Sequence, residues 1–344
     1  MVNTVASQKR PIIKKLGKAI ATEVFDTYWK FAAERQEIFH KRISLEKSPW
    51  TKDPVLQQFK FTNAYRASDR VSQFLIRNVI YDGPQTTDEI FFRTILFKLF
   101  NKIETWQALE ASLGPLTWDT FKFQKYNSVF SNLMQRGDSI YSAAYIMPSG
   151  STSFGDTRKH QNHLHLIELM MKKELPARLS NAASMESAFA LLREMPTIGD
   201  FLAYQFVIDL NYSTLMNFSE MDFVVPGPGA RDGIRKCFYE LGGLTEAQLI
   251  TEVCLNQDKL FEQLGLNFQN LFGRKLQLID CQNLFCEVDK YARVVHPNVS
   301  GRTGRTKIKQ TFKPNKHELP DLFFPPKWNL EIEKKNLRLA PLRS

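Results

Sequence analysis

The chain has 344 residues, of which 43% are hydrophobic and 24% are charged. This length and composition exclude a disordered or collagen-like chain and allow one large or two ordinary domains with a substantial core. The net charge of +10 indicates a polyanionic partner. The four cysteines form no CxxC pair, as expected for reduced thiols in a cytoplasm. No apolar run is long enough for a signal peptide or a membrane span, so we expect a cytoplasmic protein that contacts no membrane.

The first half of the chain carries helical patterns behind a basic, patternless segment, 1–15, which we expect to be a loose tail. Apolar residues then recur at helical spacing in four blocks: 16–43, 61–80, 87–101 and 106–114. Arg93 and Lys98 interrupt the apolar third block. We expect both at the edge of that helix, where long side chains keep their charges in water.

Helical patterns resume at 161 and continue to about 296. The last segment is basic and contains several prolines, which predicts an extended tail laid over the body. Because alternating patterns are scarce, we predict an all-α fold. Its predicted parts are a basic tail (1–15), an N-terminal helical part (16–160), a helix-hairpin-helix part that resembles DNA glycosylases (161–296) and the extended basic tail (297–344).

A short turn, MPTIGD at 195–200, separates two of the helical patterns. Pro196 ends the first helix, and Gly199 permits a tight turn with unusual dihedrals. The amides of Ile198 and Gly199 then lie at the start of the next helix, where the helix dipole favours an anion such as a DNA phosphate. We predict sequence-neutral DNA contacts here; an ordinary helical hairpin is the alternative.

Asp222 follows this hairpin and precedes the apolar run FVV and a Pro–Gly loop, so we expect it to be half-buried. The order of hairpin and aspartate resembles DNA glycosylases of the endonuclease III type, in which the aspartate supports chemistry on a flipped nucleotide. Two departures limit the resemblance. Thr197 replaces the usual first glycine of the hairpin, and Phe201 stands where lyase-type enzymes carry a Schiff-base lysine, which excludes lyase chemistry through that residue.

Six stretches extend a second resemblance over most of the chain: TYWKFAAERQ (27–36), FTNAYRASDRVSQFLIRNVI (61–80), FFRTILFKLFNKIETW (91–106), IGDFLAYQFVIDLNYS (198–213), DFVVPGPGARDGIRKCF (222–238) and QNLFCEVDKYAR (282–293). They resemble the proteins of phage thymidine hypermodification. That family includes alpha-glutamyl/putrescinyl thymine pyrophosphorylases, amino acid:DNA transferases and the helical domain associated with 5-hydroxymethyluracil DNA kinases. The resemblance implies base flipping in double-stranded DNA with a modified thymine, and the host cytoplasm as location.

The resemblance also implies a reaction, in which phosphorylated 5-hydroxymethyluracil exchanges its phosphate for the nitrogen of an amino acid or a polyamine. The leaving phosphate needs cations, and Arg66 and Arg70, at i and i+4 of a predicted helix, suit bidentate contacts. A surface Arg–Asp network is the alternative. The candidate phosphate ligands are Asn63, Arg66, Asp69 and Arg70, with Arg231 and Arg235 as a second basic pair.

The amine needs a base to take its proton, and Asp222 is the first candidate. An N-cap aspartate is the alternative. Glu287 and Asp289 form a second carboxylate pair around Val288 in an otherwise apolar helix. They either bind the ammonium group of the amine or pair with lysine.

The segment from Arg293 to Lys316 contains seven basic residues and no acid. A merely solubilising surface would not be segregated in this way, so we expect phosphate contacts. The predicted DNA-binding residues are Ile198, Gly199, Arg302, Arg305, Lys307 and Lys309.

The pattern HxxHxH, formed by His160, His163 and His165, resembles a metal-ligand cluster. Positions i, i+3 and i+5 do not share one helix face, and no fourth ligand is evident. We therefore expect no metal.

The chain contains no GxxxxGK[ST] phosphate-binding loop, which favours transfer onto an activated base over phosphorylation by ATP. We predict a transferase that places an amino acid or amine on phosphorylated 5-hydroxymethyluracil in DNA, with an amino acid or polyamine as co-substrate and no cofactor. The alternatives are the helical component of a 5-hydroxymethyluracil DNA kinase, which would bind DNA without catalysing transfer, and a monofunctional DNA glycosylase.

Overall fold

The computed structural model describes residues 11–144, 147–314 and 321–332. The remaining parts of the predicted tails, 1–10, 315–320 and 333–344, lie outside the described residues. Within these limits the chain divides into two compact units. The first unit comprises 11–68, 224–314 and 330–332, and the second comprises 69–144, 147–223 and 321–329. The four-part division expected from the sequence stays a prediction.

The predicted helical class is confirmed, and a small sheet accompanies the helices. The helices are α1 (Glu23–Ile43), α2 (Pro54–Gln58), α3 (Arg70–Phe74), α4 (Thr87–Phe100), α5 (Ile103–Leu113), α6 (Phe123–Gln135), α7 (Ser151–Phe154), α8 (Lys159–Lys172), α9 (Leu175–Ser180), α10 (Met185–Arg193), α11 (Asp200–Asn211), α12 (Pro228–Cys237), α13 (Glu246–Leu255), α14 (Gln257–Gln263) and α15 (Leu278–Val295). The strands are β1 (Lys15–Leu16), β2 (Ala19–Ala21) and β3 (Phe238–Glu240), which pair antiparallel in the order β1–β2–β3.

The sheet corrects the predicted start of the first helix. The helix was expected from residue 16, but 15–21 forms β1 and β2, and α1 begins at Glu23. Thr22 caps it, because its side-chain oxygen accepts the N–H of Val24 at 3.1 Å. The same hydroxyl donates to the carbonyl of Lys236 at 2.5 Å. A pairing with β3, distant in sequence, therefore decides where this helix begins.

The helical block predicted over 61–80 is three short pieces. A 3-10 turn at Arg66–Ser68 is followed by α3 and then by a π-helical segment at Leu75–Ile80. The break lies at Asp69, whose backbone is extended (φ −68°, ψ 146°). Residues on either side of it do not share one continuous helix face.

In the second unit, the expectation that Arg93 and Lys98 lie at the edge of their helix is wrong. Both are at least 97% buried on α4. Arg93 donates to the carbonyls of Val79 (2.8 Å) and Ile80 (3.1 Å), oxygens that the end of the π-helical segment leaves without a helical partner. It also donates to the carbonyl of Pro84, in the loop that follows, at 2.8 Å. Lys98 forms an ion pair with Asp209 of α11 at 3.2 Å.

In the first unit, α12 and α15 pack so closely that side chains are excluded at the crossing. A Cβ atom on Gly233 would lie 2.0 Å from the carbonyl oxygen of Phe285, and one on Gly229 would lie 2.4 Å from Sγ of Cys286. The two glycines are one helical turn apart and face α15 together. They explain the Gly-rich sequence at the start of α12.

Candidate nucleic-acid interface

The hairpin of the second unit consists of α10, a turn and α11. Its unusual backbone lies at Thr197, with φ +69°, and not at Gly199, which is extended (φ −82°, ψ 172°). The prediction that Gly199 supplies the special dihedral is therefore wrong. Thr197 therefore adopts the left-handed conformation without being glycine, the residue that adopts it most easily.

The start of α11 is open to a ligand. Gly199 and Asp200 are exposed, and no atom lies within 4 Å of an ideal Cβ on Gly199. Ile198 is 2% exposed, so its side chain belongs to the core. Its N–H donates to the carbonyl of Met195 at 3.2 Å and its carbonyl accepts from Arg193 at 2.5 Å, so its backbone is occupied within the hairpin and its predicted contact with DNA stays a prediction. Asp200 would repel a phosphate, but Nε of Arg193 lies 2.5 Å from its carboxylate and offsets that charge. The helix-hairpin-helix assignment itself stays a prediction.

Asp222 lies in the loop after α11, and its side chain is exposed, so the expected half-burial is wrong. The next residue explains its placement. The ring of Phe223 packs against Phe189 of α10 and Tyr204 of α11, with centroids 5.2 and 6.1 Å apart. Among the described residues, the Asp222 carboxylate has no hydrogen-bond or ion-pair partner. The hairpin thus fixes the chain at Phe223 and leaves a free carboxylate beside it.

The single helix face predicted for Arg66 and Arg70 is absent, because Arg66 lies in a 3-10 turn and Arg70 begins α3. Arg66 is 2% exposed, and its backbone N–H donates to Asp280 at 2.8 Å. Arg70 is exposed and pairs with Glu104 at 3.4 Å. The helical spacing on which this prediction rested is lost at the extended Asp69.

Asn63, another predicted phosphate ligand, is 8% exposed. Its Oδ1 accepts from Arg35 at 3.0 Å, and its Nδ2 donates to the carbonyl of Ser68 at 2.9 Å. One end of the amide therefore binds the Arg35 side chain, and the other binds the local backbone. The phosphate-binding roles of Asn63, Arg66, Asp69 and Arg70 stay predictions.

Glu287 and Asp289 are buried on α15 and bind internal cations. Glu287 lies 2.7 Å from Nζ of Lys290 and accepts the backbone N–H of Thr62 at 3.0 Å. Asp289 lies 2.9 Å from Nζ of Lys236 and also pairs with Arg293. Both carboxylates thus pair with lysine, the alternative to binding a substrate ammonium, and their catalytic role stays a prediction.

The predicted basic residues of the first unit lie on its surface. Arg231 is exposed and pairs with Glu246 at 3.3 Å. The other five are exposed and have no ion-pair or hydrogen-bond partner for their side chains among the described residues: Arg235, Arg302, Arg305, Lys307 and Lys309.

The three histidines of the HxxHxH pattern have separate partners. His160 faces Asn127 at 2.9 Å, and His163 bonds Tyr141 at 2.9 Å and the carbonyl of Pro148 at 2.8 Å. His165 lies beside Glu168. Within the described ranges no three His, Cys, Asp or Glu side chains are grouped for a metal ion. In the same ranges no helix has the length and apolar character needed to cross a membrane.

Sequence reasoning missed a buried polar cluster in the first unit, which we call the α12–α15 cluster: Asp232, Lys236, Asp289 and Arg293. Asp232 and Lys236 are 2% and 1% exposed. A signal for this cluster is present in the sequence. Gly229 and Gly233 place α12 against α15, and Asp232 and Lys236 are charged residues of α12 near these glycines.

Comparison with known proteins identifies the relatives of the chain. The family model described as "5-hmdU DNA kinase, helical domain" matches residues 22–301. A protein named 5-hmdU DNA kinase, from Bacillus phage SP10, is 27% identical over 290 residues. That match covers 78% of this chain and 45% of the phage protein, so the chain spans about half the length of this relative. No solved structure shows a significant match. Because the family model covers well over half of the sequence, the chain belongs to the 5-hmdU DNA kinase helical-domain family.

Proposed function

We propose that this chain is the helical component of a 5-hydroxymethyluracil DNA kinase, which binds duplex DNA and presents the modified base for phosphorylation. The match of residues 22–301 to the helical domain of such kinases carries this proposal. It replaces amine transfer, our first interpretation of the sequence, as the leading function.

ATP binding then belongs to another part of the kinase. The 344 residues contain no GxxxxGK[ST] loop, the motif whose backbone amides hold nucleotide phosphates. We propose that a phosphate-binding domain, on the same polypeptide or on another, supplies the nucleotide. The helical component supplies the DNA substrate.

The hairpin and Asp222 are the parts of the second unit that suit this task. The amides at the start of α11 bind a DNA phosphate without reading sequence. The free Asp222 carboxylate takes the proton of the 5-hydroxymethyl group of a flipped base. The hydroxyl oxygen then forms its bond to the γ-phosphorus of ATP, the bond from that phosphorus to the β–γ bridging oxygen breaks, and ADP leaves.

A second candidate function is transfer of an amino acid or amine onto phosphorylated 5-hydroxymethyluracil. The missing phosphate-binding loop favours it, because that reaction needs no ATP. Asp222 would then accept the proton of the attacking amine.

One experiment separates these functions. The purified chain is incubated with three duplexes that carry thymine, 5-hydroxymethyluracil or 5-phosphomethyluracil at one position, in the presence of ATP or of amino acids with putrescine. Binding is measured by fluorescence anisotropy and products by nucleoside mass spectrometry. We expect the chain to bind the 5-hydroxymethyluracil duplex more tightly than the thymine duplex, and to form no product by itself. Phosphorylated base should appear once a kinase domain with a phosphate-binding loop, from a phage 5-hmdU kinase, is added.

Other products would overturn the proposal. A heavier nucleoside from the phosphomethylated duplex and an amine would establish the second candidate, and an abasic site would establish a glycosylase. Equal binding of all three duplexes would remove recognition of the modified base from this chain.

A further inference from the structure

The chain that follows α15 is anchored to the first unit at several points. We call residues 299–309 the basic strap. The N–H of Thr303 donates to Oδ1 of Asp232 at 3.2 Å, and its hydroxyl bonds the other oxygen of the same carboxylate. A Cβ on Gly301 would lie 3.2 Å from Cβ of Asp232, so the strap lies directly on α12 at this point.

The α12–α15 cluster holds the strap at a second point. Nζ of Lys236 lies 2.9 Å from Asp289, and Arg293 pairs with the same carboxylate. Nη1 of Arg293 then donates to the carbonyl of Lys307 at 3.0 Å. The buried charges therefore bind the strap backbone and do not leave an empty site.

The residues directly after the strap are held by the last residue of α2 and the backbone that follows it. The N–H of Lys60 donates to the carbonyl of Gln310 at 3.0 Å, and the N–H of Phe312 donates to the carbonyl of Gln58 at 2.9 Å. With Asp232 and Arg293, these bonds fix the path of the strap before any partner binds.

The side chains of the strap point to solvent as unpaired cations. Arg302, Arg305, Lys307 and Lys309 are exposed, and among the described residues their side chains bond no acid or acceptor. The sequence from 293 to 316 supplies no acid that could neutralise them. From Arg302 to Lys309 an extended chain spans at most about 25 Å, the axial length of about seven phosphates of one DNA strand.

We propose that the basic strap is a preformed, sequence-neutral binding site for the DNA phosphate backbone, and that Asp232 is its positioning residue. The proposal rests on the proposed function, which makes DNA the polyanion. Preorganisation is the physical advantage, because a strap whose path is already fixed loses little conformational entropy when it binds. Asp232 acts through Thr303 and does not itself touch the phosphates.

The test measures the affinity of the full chain for plain-thymine and 5-hydroxymethyluracil duplexes over a range of salt concentrations. The double variant R302A/R305A should weaken both duplexes equally and lower the slope of log affinity against log salt by about two, since each lost phosphate contact removes about one. The preference for the modified duplex should stay unchanged. If the double variant leaves the slope and the affinity unchanged, the strap is not a phosphate-binding site, and the proposed function still stands. If the wild-type chain does not bind DNA, both proposals are overturned.

Asp232→Asn tests the positioning role, because a purely electrostatic effect and a positioning effect change the DNA affinity in opposite directions. Removing an acid near DNA should tighten binding if only charge matters. We expect weaker binding and faster tryptic cleavage within the strap, with Thr303→Val, which changes no charge, shifting both measurements in the same direction. The matched control is Asp258→Asn, which removes an exposed acid of the first unit. If Asp232→Asn binds DNA more tightly, by the same factor as the control, the positioning role is overturned. If Asp232→Asn does not fold, Thr303→Val alone decides whether Asp232 positions the strap.

Discussion

At the scale of single residues, Asp222 combines a fixed backbone with a free side chain. Phe223 is held between α10 and α11, whereas the Asp222 carboxylate is exposed and unpaired among the described residues. A carboxylate that only caps or braces a loop would be bonded to it. This arrangement suits a group that meets its partner when substrate binds.

We therefore expect Asp222→Asn to lower turnover of 5-hydroxymethyluracil duplex by the assembled kinase about 10²- to 10⁴-fold, the usual effect of losing a general base. DNA affinity should change little. The measurement is single-turnover phosphorylation beside anisotropy, with Asp138→Asn as the control, since Asp138 is also an exposed acid of the second unit. Equal rates for both variants would remove Asp222 from the mechanism.

His163 is a buried histidine with both ring nitrogens engaged. Its Nε2 faces the carbonyl of Pro148, which can only accept, so Nε2 carries the proton and Nδ1 accepts from the hydroxyl of Tyr141. Burial lowers the pKa of His163 from 6.5 to about 4, a shift to which the nearby Lys159 and His160 add. The folded protein thus favours the neutral ring.

This lowered pKa predicts a stability change with pH. The unfolded chain takes up a proton near pH 6.5 but the folded chain only near pH 4, so stability is full above about 6.5 and falls as pH drops towards about 4. The loss approaches about 3 kcal/mol, at 1.36 kcal/mol per unit of pKa difference. Urea unfolding from pH 7 to 4 should show a shallower decline for His163→Gln than for wild type. Parallel curves would contradict this assignment.

At the scale of elements, the crossing of α12 and α15 depends on two glycines that meet different atoms. Gly229 faces the side-chain sulfur of Cys286, whereas Gly233 faces the backbone oxygen of Phe285. A sulfur can be removed by mutation, but a backbone carbonyl cannot. The two positions therefore respond differently to a second substitution.

We expect Gly233→Ala and Gly229→Ala each to lower the free energy of unfolding, by roughly 1–3 kcal/mol or more, because the added methyl group forces the helices apart. Cys286→Ala should restore stability in the Gly229→Ala background and fail to restore it in the Gly233→Ala background. Denaturant unfolding of the singles and doubles measures both effects. Rescue of both glycine variants, or of neither, would show that the crossing relaxes in another way.

At the scale of the whole molecule, a net charge of +10 is concentrated in part on the basic strap. Arg235 and the four strap cations are exposed, and their side chains have no partner among the described residues; these five are the candidate phosphate contacts. With about five phosphate contacts, counterion release gives a slope of about −4.5 in log affinity against log salt. Binding of unmodified duplex should then weaken about 10²- to 10³-fold between about 50 and about 200 mM salt. Anisotropy titrations at constant pH measure it, and an affinity that is flat over this range would exclude phosphate contacts as the main source of binding.

The sequence by itself determined the family and the mostly helical class, and it showed a basic run without acids from 293 to 316, because these depend on composition, periodicity and matched stretches. It also placed the turn of the hairpin, since Pro196 ends a helix whatever surrounds it. The strand at 19–21 could not be read locally, because its pairing partner, β3, lies more than two hundred residues away. Only the tertiary structure decided that Arg66 is buried, that Arg93 caps the carbonyls of a π-helical segment, and that Asp289 binds Lys236. Each of these depends on which groups another element brings into contact, and helical spacing along one segment carries no information about that.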